Sequence, residues 1–144
     1  MKILYTAEAT ATGGRQGRVR SSDGALNLDL VIPKELGGPG GTATNPEQLF
    51  AAGFAACYDN AVRLVARRNK TRLVETSVTA RVGIGPNDAG GYDLSVELHL
   101  RLPDLDRDKA EQLARQAHQI CPYSNATRGN IDVQIIVEPA SDLT

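Results

Sequence analysis

The chain has 144 residues, 41% hydrophobic and 23% charged, a balance that suits one globular domain over 1–144 built on a single core. A formal charge of -1, 4% aromatic residues and no Trp leave no electrostatic or stacking basis for nucleic-acid binding, and no pull toward an anionic membrane. Two cysteines, Cys57 and Cys121, are too few for a disulfide scaffold at this length.

At the N-terminus, Ile3, Tyr5, Ala7 and Ala9 alternate with Leu4, Thr6, Glu8 and Thr10, which predicts a strand over 2–10. The apolar run stops at Glu8, too short for a signal-peptide core. No stretch approaches the ~20 apolar residues that span a bilayer. A cytoplasmic location is therefore expected, where a disulfide is more often catalytic or redox-sensing than structural. Gly13-Gly14-Arg15-Gln16-Gly17 reads as a turn, Arg18 to Ser22 as a short strand, and Ser22-Asp23-Gly24 as a second turn. Leu26, Leu28 and Leu30 alternate with Asn27 and Asp29, the pattern of a half-buried strand. Gly37-Gly38-Pro39-Gly40-Gly41 lacks the Lys-Ser/Thr of a phosphate-binding loop and reads as a connector.

Asn45 is a good N-cap, Pro46 suits the first helical position, and Gln48 stands where a capping box wants it. From Leu49 to Ala66 apolar residues occur on every side, many of them small, so this helix is expected to be buried all round. Arg67, Arg68 and Lys70 complement the negative end of its dipole and read as a solvated helix end. Two alternating strands follow, from Val74 to Ile84 and from Leu94 to Leu102, forming an antiparallel hairpin with one apolar face. Asp106 caps a helix with its stripe at Ala110, Leu113, Ala114, Ala117, Ile120 and Cys121, and Leu105 with Ala110 suits a staple across its start. Pro122 ends that helix and begins a short one that Gly129 closes. Ile131, Val133, Ile135 and Val137 form a last strand. Strands, helix, strands, helix and strand make an α+β chain, and a homodimer would bury the all-apolar helix between sheets.

Local physics leaves the cysteines open. Cys57 sits about ten residues into its helix, beyond reach of the positive dipole end, and burial would raise its pKa. A reactive Cys57 needs a nearby cation; otherwise it is a small core residue. Cys121 lies at a helix end and also on an apolar stripe, so reactivity and packing both fit. No spacing rule brings the two together. His99 and His118 are isolated from other ligand types, which gives no metal site. Cys57 with His118 as a hydrolytic pair, and structural cysteines in a non-catalytic, stress-associated binding dimer, are the alternatives to redox chemistry.

Thr12-Gly13-Gly14-Arg15, Gly37-Gly38-Pro39-Gly40-Gly41, Asn45-Pro46-Glu47-Gln48-Leu49-Phe50-Ala51-Ala52-Gly53 with Cys57, and His118-Gln119-Ile120-Cys121-Pro122-Tyr123-Ser124-Asn125-Ala126-Thr127-Arg128-Gly129-Asn130 resemble the organic hydroperoxide resistance proteins. These belong to the osmotically inducible protein C superfamily. The resemblance runs in order over nearly the whole chain. It implies an intertwined homodimer, with antiparallel sheets wrapped around central helices. It also implies a thiol peroxidase that reduces organic (alkyl or lipid) hydroperoxides to alcohols, without metal, haem or flavin. Carried over by position, Cys57 is the peroxidatic cysteine, Cys121 the resolving one, and Arg15 and Glu47 complete the site. An external dithiol on a lipoyl-bearing protein is the implied reductant.

Glu47 precedes Cys57 by ten positions, about 15 Å along one helix. Either Arg15 spans that gap or an antiparallel partner helix supplies Glu47; the second is expected, and with it an obligate dimer. Leu36, Phe50, Phe54 and Tyr123 are candidates to line a groove for an alkyl or acyl chain, with Phe50 and Phe54 equally readable as core.

Overall fold

The computed structural model describes residues 1–138. They fall into two compact units, Met1–Leu49 and a second that begins at Phe50.

In the first unit β1 (Ala9–Thr12), β2 (Arg18–Ser21) and β3 (Asn27–Asp29) form an antiparallel sheet in that order. The strand expected over 2–10 is shorter than the alternation implied. Pairing runs from Thr12 opposite Arg18 back to Ala9 opposite Ser21. There β2 ends, because the chain turns at Gly24, whose N–H donates to the Ser21 carbonyl. Residues 1–8 are exposed. The half-buried face expected on β3 is also corrected: Leu26 and Leu28 are exposed and only Leu30 is buried, where it bridges to Thr44. That bridge matters for the site. Val31 N–H donates to the Thr44 carbonyl and Thr44 N–H to the Asp29 carbonyl, so the residue before the Asn45 cap is clamped to the end of β3.

The long helix α1 (Pro46–Arg68) starts as its cap predicts, with Asn45 Oδ1 accepting from Gln48 N–H at 2.8 Å. Gln48 does not reach back as a capping box would; its Oε1 takes the Thr44 hydroxyl instead. Within one chain the helix is buried along one side. Phe54, Tyr58, Ala61, Val62, Val65 and Ala66 are buried, whereas Ala52, Ala56, Asn60 and Arg63 are exposed. By length and composition α1 also passes as a membrane span, which corrects the expectation that no stretch approaches one; its buried residues serve the protein's own core.

In the second unit β4 (Ser77–Pro86) and β5 (Tyr92–Arg101) make the expected hairpin, in register from Ser77 opposite Arg101 to Pro86 opposite Tyr92. The strand begins at Ser77 rather than Val74, which is 73% exposed. The last strand β6 (Val133–Val137) lies parallel to β5, Val96 opposite Val133. The sheet is therefore mixed rather than antiparallel. The cause is the connection: α2 (Arg107–Ile120) and α3 (Pro122–Thr127) carry the chain back along the sheet before β6 begins. Asp106 caps α2, accepting from Lys109 N–H at 2.9 Å.

One core results. Val96, Leu98 and Leu100 of β5 pack with Phe54, Tyr58 and Val62 of α1 and with Leu113, Ala114 and Ala117 of α2. Each fully buried Val, Leu or Phe side chain contributes roughly 1.5–3 kcal/mol of apolar burial. The Tyr58 hydroxyl sits inside this core and donates to the Ala114 carbonyl at 2.8 Å, fixing α1 against α2. The fold is α+β, as expected.

Candidate active site

Cys121 occupies the junction of two helices. It is the C-cap of α2 and the N-cap of α3, with extended backbone (φ -65°, ψ 123°), the geometry that the following Pro122 favours. Its N–H donates to the Ala117 carbonyl and its own carbonyl accepts from Asn125 N–H. The side chain is wholly buried, and Cys121 Sγ lies 3.7 Å from Cys57 Sγ, 64 positions away in sequence. Both thiols are free, and Cys57 is half-buried. Separation in sequence gave no hint of this meeting; the packing of α1 on α2 produces it.

Burial pushes the Cys57 thiol above its ordinary range, and the Cys121 sulfur beside it adds to the effect; the Tyr123 N–H acts in the opposite direction. Within this unit, then, Cys57 has the handicap that its mid-helix position implies. Gly53, one turn before Cys57, leaves room for Tyr123: a Cβ there would stand 2.7 Å from the phenol oxygen. Tyr123, Phe50 and Phe54 form an aromatic cluster with ring centroids 5.6 to 6.2 Å apart. Phe54 is wholly buried, as the core reading has it, while Phe50 is half-buried and Tyr123 is 38% exposed. Leu36 belongs to the first unit, in a 3-10 turn over Lys34–Leu36, and is exposed.

Arg15 and Glu47 come together in the first unit. Arg15 stands in a 3-10 turn between β1 and β2. Gly17 closes that turn with its α-carbon so near the Thr12 carbonyl that a Cβ would overlap it at 1.7 Å. Leu30 N–H donates to the Gly17 carbonyl, and the Leu30–Thr44 bridge leads to the start of α1. This relay sets the turn against the helix start, where Arg15 Nη1 and Nη2 donate to Glu47 Oε2 and Oε1 at 2.8 and 2.6 Å. The bidentate guanidinium holds the Glu47 carboxyl below the usual range, and the carboxylate raises Arg15 in turn. Glu47 also suits the first turn of a helix, where the dipole favours negative charge.

The histidines are not isolated. His118 Nδ1 pairs with Ser124 Oγ at 2.9 Å, and His99 Nδ1 with Glu138 Oε1 at 2.7 Å. Both were missed because periodicity sees neighbours within one element, and these pairs join different elements. A histidine in the last turn of a helix, followed by Cys-Pro and a polar residue in the next helix's first turn, is the local signal for the first of them.

A family profile described as OsmC-like protein matches residues 38–136. The chain is 56% identical over 135 residues to the organic hydroperoxide resistance protein of Xanthomonas axonopodis pv. citri, covering 93% of this chain and 94% of that protein. It is 44% identical over 133 residues to the organic hydroperoxide resistance protein OhrB of Bacillus subtilis, covering 92% and 96%. The crystal structure of an organic hydroperoxide resistance protein from Legionella pneumophila superposes with a TM-score of 0.92 at 51% identity, covering 95% of this chain and 99% of that one. With the fold, the long cysteine motifs and these likenesses in agreement, the chain belongs to the organic hydroperoxide resistance family of OsmC-like proteins.

Proposed function

We propose that this protein confers resistance to organic hydroperoxides as a cysteine-based peroxidase, with Cys57 attacking the peroxide and Cys121 resolving the product. The names of its relatives support the resistance role. The observation that carries the mechanism is the 3.7 Å approach of two free thiols, one half-buried and one fully buried.

The Cys57 thiolate attacks the terminal oxygen of ROOH, the O–O bond breaks, and RO⁻ leaves to take up a proton as the alcohol. The sulfur, oxidised by two electrons, is then a sulfenic acid. Cys121 attacks it, the S–O bond breaks, and water leaves with the Cys121 proton as the disulfide forms. An external dithiol, proposed as the lipoyl group of a carrier protein, resets the pair by exchange and leaves as its own disulfide.

The first step needs a cation, because Cys57 is otherwise held above the ordinary thiol range. Arg15, aligned by Glu47, is the proposed source, polarising the peroxide as well as favouring the thiolate. Ten positions separate Glu47 from Cys57, and Arg15 and Glu47 of one chain are locked to each other. We therefore assign the activating pair to a second copy in a homodimer. The exposed Ala52 and Ala56 on α1 and the exposed Ile3, Leu4 and Tyr5 are the surfaces such a copy would cover. Leu36, Phe50 and Tyr123 are proposed to border the path of the hydroperoxide's apolar chain, with the wholly buried Phe54 packed behind Phe50 and Tyr123.

The test is dithiol-dependent consumption of cumene hydroperoxide against hydrogen peroxide. Turnover of the organic peroxide is expected to be faster, with complete loss in Cys57→Ser. Equal, Cys57-independent consumption of both would reject it.

A further inference from the structure

We propose that His118, Ser124 and Arg128 brace the α2–α3 junction and thereby hold Cys121 in position to attack, which makes them positioning residues for disulfide formation. The proposal rests on the reading of Cys121 as the resolving thiol.

Cys121 alone caps both helices, and its side chain caps neither. The direction of its Cα–Cβ bond therefore follows the angle between α2 and α3. Three side chains set that angle. His118 is three residues before Cys121 and Ser124 three after, and the 2.9 Å His118 Nδ1–Ser124 Oγ bond closes a loop around the cysteine. Arg128 adds a second tie: one guanidinium nitrogen donates to the His118 carbonyl and the other to Asn125 Oδ1 at 2.7 Å. The His118 carbonyl is among the last-turn carbonyls that a helix cannot satisfy internally, so Arg128 also completes the end of α2.

Burial gives the tie its force. Ser124 is wholly buried, so its hydroxyl has no water to turn to if His118 is lost. Burial and the Arg128 charge hold His118 below its usual range, which keeps the imidazole neutral near pH 7, with one donor and one acceptor nitrogen.

The geometry must be held because the closing movement is short. The sulfurs are 3.7 Å apart, and a disulfide needs about 2.05 Å with a narrow range of Cα and Cβ separations. On the other side, the Tyr58–Ala114 hydrogen bond fixes α1 to α2. The α2–α3 angle is the other determinant of where Cys121 Sγ sits, and the brace holds it. A slack junction would leave the Cys57 sulfenic acid waiting, exposed to a second peroxide that takes it to sulfinic acid. The brace also gives a physical role to the motif residues His118, Ser124, Asn125 and Arg128, which peroxide chemistry itself does not use.

The test compares wild type, Ser124→Ala, Ser124→Thr and His118→Phe, each fully reduced, folded by circular dichroism and exposed to a tenfold excess of cumene hydroperoxide. Quenched intact mass separates disulfide from sulfinic acid, and loss of free thiol reports the first oxidation. Ser124→Ala is expected to raise the sulfinic fraction about fivefold or more. The rate of first oxidation should stay within about twofold, because Ser124 and His118 have no part in O–O cleavage. His118→Phe should do the same from the other side of the bond, and Ser124→Thr, which keeps the hydroxyl, should restore the wild-type partition. A wild type that forms disulfide, beside Ser124→Ala and His118→Phe proteins with an unchanged partition, would overturn the brace and leave the peroxidase reading intact. A wild type that forms no disulfide would overturn both.

Discussion

The Tyr58 hydroxyl donates to the Ala114 carbonyl at 2.8 Å from a side chain with no solvent exposure. Tyr58 follows Cys57 in α1, and Ala114 lies two turns before Cys121 in α2, so this bond ties together the helices that carry the two thiols. Burial holds the phenol far above its usual pKa, so it acts only as a neutral donor. Tyr58→Phe leaves the ring in place and the Ala114 carbonyl unpaired, and should cost about 1–3 kcal/mol in urea unfolding. A destabilisation below about 0.3 kcal/mol would mean that the bond does not hold the helices.

Arg15 and Glu47 should act as one unit. Glu47→Gln keeps the volume and removes the charge that aligns the guanidinium. Peroxide turnover is then expected to fall about tenfold or more. Arg15→Gln should also move the pH midpoint for iodoacetamide alkylation of Cys57 upward by about one unit or more. An unmoved midpoint would remove Arg15 as the activating cation. Glu47 is depressed by Arg15, so the pair's contribution is fully present above the unfolded carboxyl value of about 4.3 and is lost as pH falls through the folded value.

His99 carries the opposite sign. Its bond to Glu138, with a weaker contact to Glu97, raises its pKa. The stabilisation is fully present below the unfolded value of about 6.5 and fades as pH rises through the higher folded value. Wild type should therefore exceed His99→Gln in unfolding free energy at pH 5.5 by an amount on the order of 1 kcal/mol, read from urea unfolding, and the gap should narrow by pH 9. A gap that widens with pH would contradict the pairing.

Lys70 is the one non-glycine residue with positive φ among the described residues, at 56°. It ends α1 in a Schellman motif: Thr71 N–H donates to the Ala66 carbonyl and Lys70 N–H to the Arg67 carbonyl. Lys70→Gly should relieve the left-handed strain and stabilise the protein by about 1 kcal/mol, a rise of roughly 2–4 °C in melting temperature. Destabilisation instead would mean that the Lys70 side chain does more than complete a helix end.

Local signals were legible in the sequence and non-local ones were not. Asn45 and Asp106 cap the helices that their side chains predict, and the β4–β5 hairpin follows from its alternation. The parallel docking of β6 was not visible, because alternation gives a strand its faces but not its direction. The exposure of Ala52, Ala56 and Leu28 was hidden for a related reason: composition predicts that a surface wants cover, not which chain provides it. For the site, motif resemblance named Cys57, Cys121, Arg15 and Glu47, and it is geometry that brings each pair together. Residues that act across elements, such as His118 with Ser124 and His99 with Glu138, needed coordinates.

The proposed mechanism requires that the two thiols that meet at 3.7 Å become one bond when a peroxide arrives. The direct measurement is intact mass with non-reducing peptide mapping, after one equivalent of cumene hydroperoxide is added to fully reduced protein. The expected result is loss of two hydrogens and a Cys57–Cys121 cross-linked peptide within one chain. The cross-link should be absent in Cys57→Ser, and Cys121→Ser should give higher oxides of Cys57. An unchanged mass in the wild type, or oxidation with no cross-link, would contradict it.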